Sequence, residues 1–484
     1  MATVITSIGA KSATGDPVDG PLTMAVGGSG SGTPWTGTVN FSSAPTANIG
    51  DQLYYHQAYY NCTGPGSCSG PANMIYLITG ISGDGLTLTV KYISGGANFD
   101  PNSLYATNNP SGSKVQPYIL RFYSTPGTWN SDLENTGLYS SGDTAKGECY
   151  KDSALNQTST IVLGNEGGNV GIAISILSVA EGQRHDGTAG SGYVINFTNT
   201  AYLSFSYDSD PGYDPTQKTV EWIDLNFGEV ANGEHYAVYL SGGGAFEYTT
   251  SISHCLIHDF HHSSTDNTEM VYCNGQYSCV HNNIMYDLEC EAKSAGIWLN
   301  KDEQLACNNT IYRIHSTETG ASSNQSYGIY NANKNHLNIS NNICVGITST
   351  VADKHYDYYS AGGSSQARNN NLSEDSTADS YSASNGVTGV DPENLFMDST
   401  VDGSEDLHLK NGAEALRAGA DLGTSVTINS QVVVSSAFGT PINIDIDGRD
   451  RDAEGDDWDI GADQCHTCSE GGATANPAFI FFVD

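Results

Sequence analysis

The feature that most constrains this chain is a repeat of about 30 residues between Tyr236 and Leu372. An apolar residue followed by an aromatic one recurs in steps of 33, 26, 32 and 29 residues. These pairs are Val238-Tyr239, Val271-Tyr272, Ile297-Trp298, Ile329-Tyr330 and Tyr358-Tyr359. Between them an asparagine recurs two residues before an aliphatic residue, at Asn282, Asn309, Asn341 and Asn370. Two interleaved signals with one period indicate a solenoid, in which each repeat is one coil.

The residue types decide which solenoid the repeat forms. The repeated segments are short and rich in β-branched and aromatic residues, as in YAVYL (236–240), EMVYC (269–273) and GIWLN (296–300), and Gly, Asn and Ser surround them. None of them keeps the i, i+3, i+4 spacing of an amphipathic helix. We therefore predict an all-β fold, a right-handed parallel β-helix with about three strands per coil. Each coil pairs with the next, so only the two ends are open sheet edges.

Two of the repeated positions are expected to form ladders along the solenoid. An Asn at a constant phase can hydrogen-bond the Asn of the next coil, and it tolerates the left-handed backbone of a tight turn. The predicted asparagine ladder is Asn282, Asn309, Asn341 and Asn370.

Side chains alternate along a strand, so an inward aliphatic residue turns the following aromatic ring outward. Coils stack about 4.8 Å apart, so the rings should form a stripe. Three interpretations of the stripe stay open: packing within the chain, an interface between copies, and the binding of sugar rings. The predicted binding residues are Tyr239, Tyr272, Trp298, Tyr330 and Tyr359.

The rest of the chain divides around the repeat. Longer alternating strands and a hairpin signal at Gly83-Asp84-Gly85 indicate an antiparallel module ahead of the coils. The predicted domains are a first strand (1–9), an inserted β-rich module (10–122), a capping helix with its lead-in (123–154), the parallel β-helix (155–424), and a C-terminal cap and tail (425–484). The helix is expected to start at Ser124 or Thr125 and to place Trp129, Leu133 and Leu138 over the first coil.

Composition limits the partners. Lys and Arg number 18 against 54 Asp and Glu, a formal charge of −36, which argues against binding to nucleic acid or anionic membranes. No apolar stretch predicts membrane insertion, and the first residues lack the pattern of a secretory signal peptide. We expect retention in the cytoplasm, export without such a signal, or release by lysis as for virion proteins.

The cysteines give weaker signals. Cys62 and Cys68 flank a Gly/Pro turn and could form a small-loop disulfide. Three others lie on predicted coil strands, where a buried thiol serves as an apolar filler: Cys255, Cys307 and Cys344. Cys465 and Cys468 have a spacing found in redox and metal sites, but without a second pair the signal is weak.

Candidate catalytic chemistry is confined to a few side chains. Asp259 and Asp287 have phases that bring them together on adjacent coils, where one carboxyl could share a proton with the other. They are the candidate catalytic residues if the protein is an enzyme. Basic residues are too few for a lyase site, and no hydrolase motif is present, so we predict a protein without catalytic activity.

An acidic run near the C-terminus resembles a calcium-binding loop in composition. It contains Asp445, Asp447 and Asp450, but its glycine stands at position four instead of six, and no Glu follows at position twelve. A structural Ca²⁺ at these residues is the one cofactor left open.

Several segments resemble a known superfamily. The coil pattern is similar to the parallel β-helices of the pectate-lyase-like superfamily. Asp445-Ile-Asp-Gly-Arg449 followed by Asp459-Ile-Gly-Ala462 is similar to a closing signature of bacterial and phage members. The run from Tyr123 to Trp129 resembles the start of β-helix proteins from phage and environmental sequences. The resemblance implies the fold but no single activity, because the superfamily includes lyases, hydrolases, tailspikes and adhesins.

These observations together predict a non-catalytic structural or attachment protein. We expect a virion fibre, spike or decoration component, or a surface-filament subunit, located on a virion or an extracellular surface. The expected partners are copies of the chain (a trimer by analogy), other virion or surface proteins, and cell-surface polysaccharide. The alternatives are a polysaccharide-degrading β-helix enzyme and an extracellular adhesin.

Overall fold

The computed structural model describes most of the chain in two compact units. The first holds the described residues of 1–155 and 164–183, and the second those of 156–163, 184–209 and 216–484. The described residues are 2–13, 16–25, 30–31, 35–60, 69–94, 117–133, 138–164, 171–198, 200–206, 216–230, 236–242, 248–263, 267–317, 325–362, 367–380, 383–400, 405–453, 457–465 and 468. Among them, no helix combines the length and the apolar character needed to cross a membrane.

The first unit begins with short strands and one helix. Its first elements are β1 (Thr3–Ile8), β2 (Ser12–Ala13), β3 (Asp16–Pro17), β4 (Gly30–Ser31), β5 (Thr36–Asn40), β6 (Gln52–Tyr60), β7 (Ser69–Ile81), β8 (Thr87–Ser94), β9 (Pro117–Leu120), α1 (Pro126–Ser131) and β10 (Thr144–Cys149). Six strands form an antiparallel sheet in the order β4-β5-β8-β7-β6-β9. Its core is aromatic: Trp35 and Tyr55 both meet the ring of Tyr76 edge-on, at 6.1 and 5.9 Å.

Strand β1 lies outside that sheet and pairs in parallel with β10, from Thr3 opposite Thr144 to Ile8 opposite Cys149. Helix α1 is capped by Thr125, whose hydroxyl accepts a hydrogen bond from the Thr128 N–H. Trp129 is buried, and a Cβ atom at Gly147 of β10 would lie 2.8 Å from its ring. The predicted helix and cap are confirmed over a shorter span, and residues 134–137 lie outside the described residues.

The remaining elements are mostly short strands. They are β11 (Leu155–Gln157), β12 (Ile161–Leu163), β13 (Ile174–Val179), β14 (Val194–Phe197), β15 (Leu203–Phe205), β16 (Gln217–Glu221), β17 (Asp224–Val230), β18 (Tyr236–Ser241), β19 (Thr249–Ser253), β20 (Leu256–His262), β21 (Thr268–Asn274), β22 (Ser278–His281), β23 (Ile284–Cys290), β24 (Ser294–Leu299), β25 (Leu305–Cys307), β26 (Thr310–Ser316), β27 (Ser326–Asn331), β28 (Asn338–Ser340), β29 (Ile343–Ser349), β30 (His355–Ser360), β31 (Ala367–Asn369), β32 (Leu372–Ser373), β33 (Phe396–Asp398), β34 (Asp406–Leu409), β35 (Val426–Ile428) and β36 (Gln431–Val434), with 3₁₀ turns at Thr377–Asp379 and Pro392–Asn394.

In the second unit these strands form three parallel sheets. Sheet 1 runs β16-β19-β22-β25-β28-β31, sheet 2 runs β14-β17-β20-β23-β26-β29-β32, and sheet 3 runs β12-β15-β18-β21-β24-β27-β30. Neighbours within a sheet are three strands apart in the chain, so each coil adds one strand to every sheet. This pattern confirms the predicted parallel β-helix. The aliphatic residue of each repeated pair is buried at 0–1% exposure, at Val238, Val271, Ile297 and Ile329.

A buried amide ladder follows the turn between sheets 1 and 2. The Nδ2 atom of Asn283 donates to Asn309 Oδ1 at 3.0 Å. Asn309 in turn donates to Asn342 at 3.0 Å, and Asn342 donates to Asn371 at 3.1 Å. Their backbone N–H groups also donate to the next amide oxygen, as Asn309 N does to Asn342 Oδ1 at 3.1 Å. The ladder members are Asn283, Asn309, Asn342 and Asn371, of which the sequence analysis named only Asn309.

The correction concerns Asn282, Asn341 and Asn370, which the prediction included with Asn309. Each stands one residue before a ladder member and has a left-handed backbone, with φ of 55°, 58° and 53°. The turn therefore has asparagine at two successive positions, one with the left-handed backbone and one with the amide hydrogen bonds between coils. The first residue bends the chain and points outward, and the second points inward and stacks.

These outward asparagines bind the C-terminal segment along the side of the solenoid. Asn341 exchanges two hydrogen bonds with the backbone of Ala420, at 2.8 and 2.9 Å. Asn370 donates to the Ala418 carbonyl at 2.8 Å. Apolar side chains of the same segment pack on strands of sheet 1: Val426, Ile428, Val433, Ile442 and Trp458 join Cys279 and Leu305 in one buried cluster. A second cluster joins Leu395, Leu407 and Ile460 to Ile343 and Val345 of sheet 2.

Candidate functional site

Sheet 3 carries a continuous aromatic ladder. The strand register places Tyr239, Tyr272, Trp298, Tyr330 and Tyr359 opposite one another in that order. Consecutive ring centroids are 5.7, 6.3, 4.2 and 5.6 Å apart. All five rings are partly exposed, so the predicted stripe lies on the outer face.

A second file of rings flanks the ladder, and the sequence analysis missed it. Tyr236 stacks beside Tyr239 at 4.8 Å, Tyr327 lies 4.8 Å from Tyr330, and Tyr356 lies 5.2 Å from Tyr359. Strict alternation would place residues three apart on opposite faces. Strand pairing omits one residue at this point on both partner strands, as between Tyr236 and Val238. Tyr236 and Tyr356 are therefore also partly exposed, whereas Tyr327 is buried beneath the ladder. The signal available was the recurring aromatic residue three positions before the ladder residue.

Polar side chains hold the ladder in place. The amide of Asn274 donates to the Tyr239 hydroxyl at 2.8 Å, and that of Asn300 donates to the Tyr272 hydroxyl at 2.7 Å. The Lys293 ammonium lies 5.1 Å from the Trp298 centroid and 5.2 Å from that of Tyr330, within cation–π range. The ladder is therefore a fixed surface of ring faces and edges with one cation beside it.

A buried carboxyl accompanies that cation. Burial raises the pKa of Glu269 to about 8, although the charge of Lys293 opposes the shift. Burial also lowers the pKa of Lys293, against the attraction of Glu269.

The two candidate catalytic carboxylates lie together on sheet 2, as their phases predicted. Asp259 and Asp287 lie at equivalent positions of successive coils, each left out of the pairing of its strand with the next. Both have a left-handed backbone, with φ of 57° and 62°. One donor atom from each of Asp259, His261 and Asp287 lies within 4.8 Å of the others. Arg313 has the same conformation on the next coil, with φ of 56°, so a guanidinium follows the two carboxylates.

Both carboxylates are tied into ion pairs. His258 lies between Asp224 at 2.7 Å and Asp259 at 3.0 Å. Burial opposes protonation of His258, but its hydrogen bonds to these two carboxylates raise its pKa to about 9. Asp287 binds Arg313 at 2.6 Å and His261 at 3.2 Å.

The same partners set the protonation of Asp287. Burial acts to raise the pKa of Asp287, but hydrogen bonds from His261 and the charge of Arg313 outweigh it, and the pKa is lowered. A general acid needs a raised pKa. The geometry therefore suits Asp287 to a charged role, as the ion-pair partner of the Arg313 guanidinium at 2.6 Å.

A cavity of about 310 Å³ opens beside this ion-pair network. Strand register aligns Glu229, His261, Glu289 and His315 on successive coils, and the first three line the cavity. Carboxylates and imidazoles thus alternate at intervals of about 4.8 Å along its wall. Such a wall suits a cationic or hydrogen-bonding ligand.

The acidic C-terminal run does not gather its carboxylates on one point. Asp445 Oδ1 accepts from the N–H groups of Asp447 and Arg449, at 3.0 and 2.7 Å. Asp450 Oδ1 accepts from the Asn443 amide at 2.8 Å, whereas Asp447 reaches His408. The three predicted calcium ligands each serve a different partner, and a Ca²⁺ there stays a prediction.

Arg451 organises the closing segment, and the sequence analysis did not single it out. It is fully buried, and its guanidinium donates to the carbonyls of Gly461 at 2.9 Å and Ala462 at 2.7 Å. Its alternation with aspartates in the run from Asp445 to Asp452 was the available signal.

The described cysteines include buried free thiols and one disulfide. Cys255, Cys307 and Cys344 are buried free thiols, as predicted, and burial raises the pKa of Cys255 to about 12. Cys465 and Cys468 form a disulfide. The suggested Cys62–Cys68 disulfide lies outside the described residues.

These observations define the class of the second unit, a parallel β-helix with a partly exposed aromatic ladder on one face and an ion-pair network on another. No family model matches the chain, and no curated protein matches it. Among solved structures it is similar to the tailspike protein gp49 from Pseudomonas phage LKA1, at 11% identity over 80% of this chain and 69% of that chain. The TM-score of 0.16 is too low to support the fold assignment, which rests on the pairing of the strands.

Proposed function

We propose that this chain is a non-catalytic attachment protein that binds an extended glycan along the aromatic ladder of sheet 3. We place it as a fibre, spike or decoration component of a phage particle, or as a subunit of a surface filament. The observation that carries the proposal is the continuous row of partly exposed rings from Tyr239 to Tyr359. Aromatic faces suit the apolar faces of sugar rings because both are flat and only weakly hydrated.

The rigidity of the ladder supports this proposal. Hydrogen bonds hold the hydroxyls of Tyr239 and Tyr272, so these rings lose little freedom when a ligand binds. The ladder spans four coil steps, a length of about 19 Å at about 4.8 Å per step. A straight track of this length suits a linear polymer better than a compact ligand.

The area of the ladder favours a glycan over a second copy of the chain. An aromatic side chain buries about 150–250 Å² when fully covered, so five partly exposed rings offer roughly 100–400 Å² in total. A stable protein interface needs about 800 Å² from each partner. The ladder alone is too small for that, whereas weak glycan contacts gain strength when many copies are displayed together.

A polysaccharide-degrading enzyme is the alternative, with Asp259 and Asp287 as its acids. Retaining glycosidases place two carboxyl groups about 5–5.5 Å apart, and inverting ones about 6.5–9.5 Å apart. One carboxylate oxygen of Asp259 and one of Asp287 lie within 4.8 Å of each other, so the two groups are close together. Both carboxylates are also engaged by cationic partners, so we rank this function second.

The test measures glycan binding by matched variants. Trp298→Ala should weaken binding by about 2–30-fold, because covering the roughly 20–80 Å² that one partly exposed ring offers contributes about 0.5–2 kcal/mol. Val162→Ala is the control, since Val162 is 39% exposed and lies in the same register two coils before Tyr239. A panel of acidic and neutral bacterial polysaccharides should be screened by affinity electrophoresis.

Three results would overturn the proposal. They are equal binding by Trp298→Ala and the native chain, binding to no polysaccharide in the panel, and release of oligosaccharide products that stops in Asp259→Asn or Asp287→Asn. The last result would establish the enzyme instead. Sedimentation of the free protein shows separately whether it forms a trimer.

A further inference from the structure

A second cluster of ligating side chains surrounds His408 on β34. Its Nε2 atom lies 3.0 Å from Asp447 Oδ1, and its Nδ1 atom lies 2.5 Å from Asp406 Oδ1. One donor atom from each of His408, Asp447 and Asp463 lies within 4.8 Å of the other two. The three residues line one cavity of about 540 Å³. The cluster belongs to neither the aromatic ladder nor the ion-pair network on sheet 2.

Three separate structural devices place these side chains. The antiparallel pairing of β33 with β34 presents His408. The turn closed by Asp445, which accepts the N–H groups of Asp447 and Arg449, presents Asp447. The buried Arg451 holds the carbonyls just before Asp463. The cluster therefore joins β34 to two positions of the closing segment, Asp447 and Asp463.

The backbone makes room for the imidazole. A Cβ atom at Gly187 would lie 2.5 Å from His408 Cε1 and Nε2, and Gly187 has a φ of +86°. A side chain at this position would therefore displace the ring. The absence of a side chain at Gly187 leaves the space that the His408 ring occupies.

Asp463 is buried with one carboxylate oxygen still available. The residue is 3% exposed, and its Oδ2 atom accepts a hydrogen bond from the Leu409 N–H at 2.8 Å. Within the described ranges, no donor hydrogen-bonds its other oxygen, and the side chain lines the cavity. This oxygen opens into the cavity, where a carboxylate oxygen beside an imidazole can serve as a metal ligand. Its position next to His408 Nε2 points to a cation.

We propose that His408 Nε2, Asp447 and Asp463 bind one divalent transition metal ion of the Zn²⁺ type. One imidazole and two carboxylates suit such an ion, whereas Ca²⁺ prefers an all-oxygen set. Two ligand atoms about 2.0–2.1 Å from a tetrahedral metal lie about 3.3 Å apart, close to the 3.0 Å between His408 Nε2 and Asp447 Oδ1.

Asp406 and Arg449 complete the site from behind. The carboxylate of Asp406 accepts the Nδ1–H of His408, which leaves Nε2 free for the metal, as carboxylates commonly do for metal-bound histidines. Arg449 Nη1 lies 3.2 Å from Asp447 Oδ2, the oxygen that does not face His408. Two carboxylate charges balance the metal, and the cavity leaves a position for water. The bound ion would fasten β34 to the closing segment.

The test titrates metal into the full-length protein. After EDTA treatment and dialysis, calorimetry with Zn²⁺ should show one equivalent bound, with far weaker binding of Ca²⁺. His408→Gln and Asp463→Asn should each weaken Zn²⁺ binding by about 100-fold or more. Asp406→Asn should weaken it by about 10–100-fold, the usual effect of losing the partner of a ligating histidine.

Two controls separate this site from other binding. Asp421→Asn changes an exposed turn carboxylate and should leave the affinity unchanged. Cys465→Ser with Cys468→Ser removes the nearby sulfurs and should also leave it unchanged.

If the ligand variants fail to fold, X-ray absorption of the zinc-loaded native protein gives the ligand set directly. A shell with one imidazole nitrogen and carboxylate oxygens supports the site. No stoichiometric binding, equal binding by His408→Gln, or a shell with sulfur or with oxygen alone would overturn it.

Discussion

Replacing Asn309 by Asp tests whether the buried amide ladder stabilises the solenoid. The two side chains have nearly the same shape, so the change removes donors without creating a cavity. Asn309 Oδ1 accepts from the N–H and the amide of Asn283, at 3.1 and 3.0 Å. Its Nδ2 donates to the Val280 carbonyl at 2.9 Å and to Asn342 Oδ1 at 3.0 Å. In the aspartate variant a carboxylate oxygen faces those two acceptors.

The magnitude follows from burial. Asn309 is 0% exposed, and full burial raises a carboxyl pKa by about 3–5 units, from an unfolded value of about 3.9. The folded state of the variant then binds a proton more tightly than the unfolded state. Its stability relative to the native chain therefore falls as pH rises from the unfolded pKa toward the folded one, by about 1.4 kcal/mol per pH unit. Between pH 5.5 and pH 8.5 we expect a further loss of about 2–4 kcal/mol.

Urea unfolding at the two pH values measures this difference. Asn385→Asp is the matched control, because Asn385 is exposed and also has a left-handed backbone, with φ of 54°. It should change the free energy of unfolding by less than about 0.5 kcal/mol at both pH values. A loss in Asn309→Asp that is below 1 kcal/mol, or that does not change with pH, would refute the account of the ladder.

Three further outcomes are expected. Above pH 7 the native chain should lose about 2–3 kcal/mol of stability that His258→Gln does not lose. The pKa of His258 is raised to about 9, so the stability that its protonated form provides is complete below about pH 6.5 and disappears as the pH rises through 9. Parallel plots of stability against pH for the two proteins would contradict this. Arg451→Met should lower the free energy of unfolding in urea by about 3–5 kcal/mol, because the carbonyls of Gly461 and Ala462 lose a charged donor. A loss below 1 kcal/mol would show that these hydrogen bonds are dispensable. Gly328→Ala should lower stability by about 1–3 kcal/mol in thermal unfolding, since the added Cβ would lie 2.7 Å from Cys344 Sγ. An unchanged unfolding midpoint would contradict this close packing.

Part of the candidate site could be predicted from the sequence. The repeated pairs alone aligned Tyr239, Tyr272 and Trp298 on one face, because each coil contributes one equivalent strand to sheet 3 although the coil length varies. The flanking Tyr236 was missed because strand pairing skips a residue before Val238. The alternation of side chains is interrupted there on both strands, and the sequence carries no direct mark of that interruption.

The asparagine ladder was predicted one residue early at three of four positions for a related reason. Neighbouring asparagines in the turn have the same chemistry in sequence, and only the backbone conformation separates the outward residue from the inward one. The left-handed φ of 55° at Asn282 and the hydrogen bond from Asn283 to Asn309 show the division of roles.

The sequence by itself determined the class of fold and the existence of an aromatic face. Both depend on local residue types repeated at one period, and such information survives without knowledge of distant contacts. Only the tertiary structure decided which sheet faces the C-terminal segment covers, and that His408, Asp447 and Asp463 meet. That meeting depends on how β34 and the closing segment pack against each other and on the solenoid, because contacts between such segments follow no sequence period.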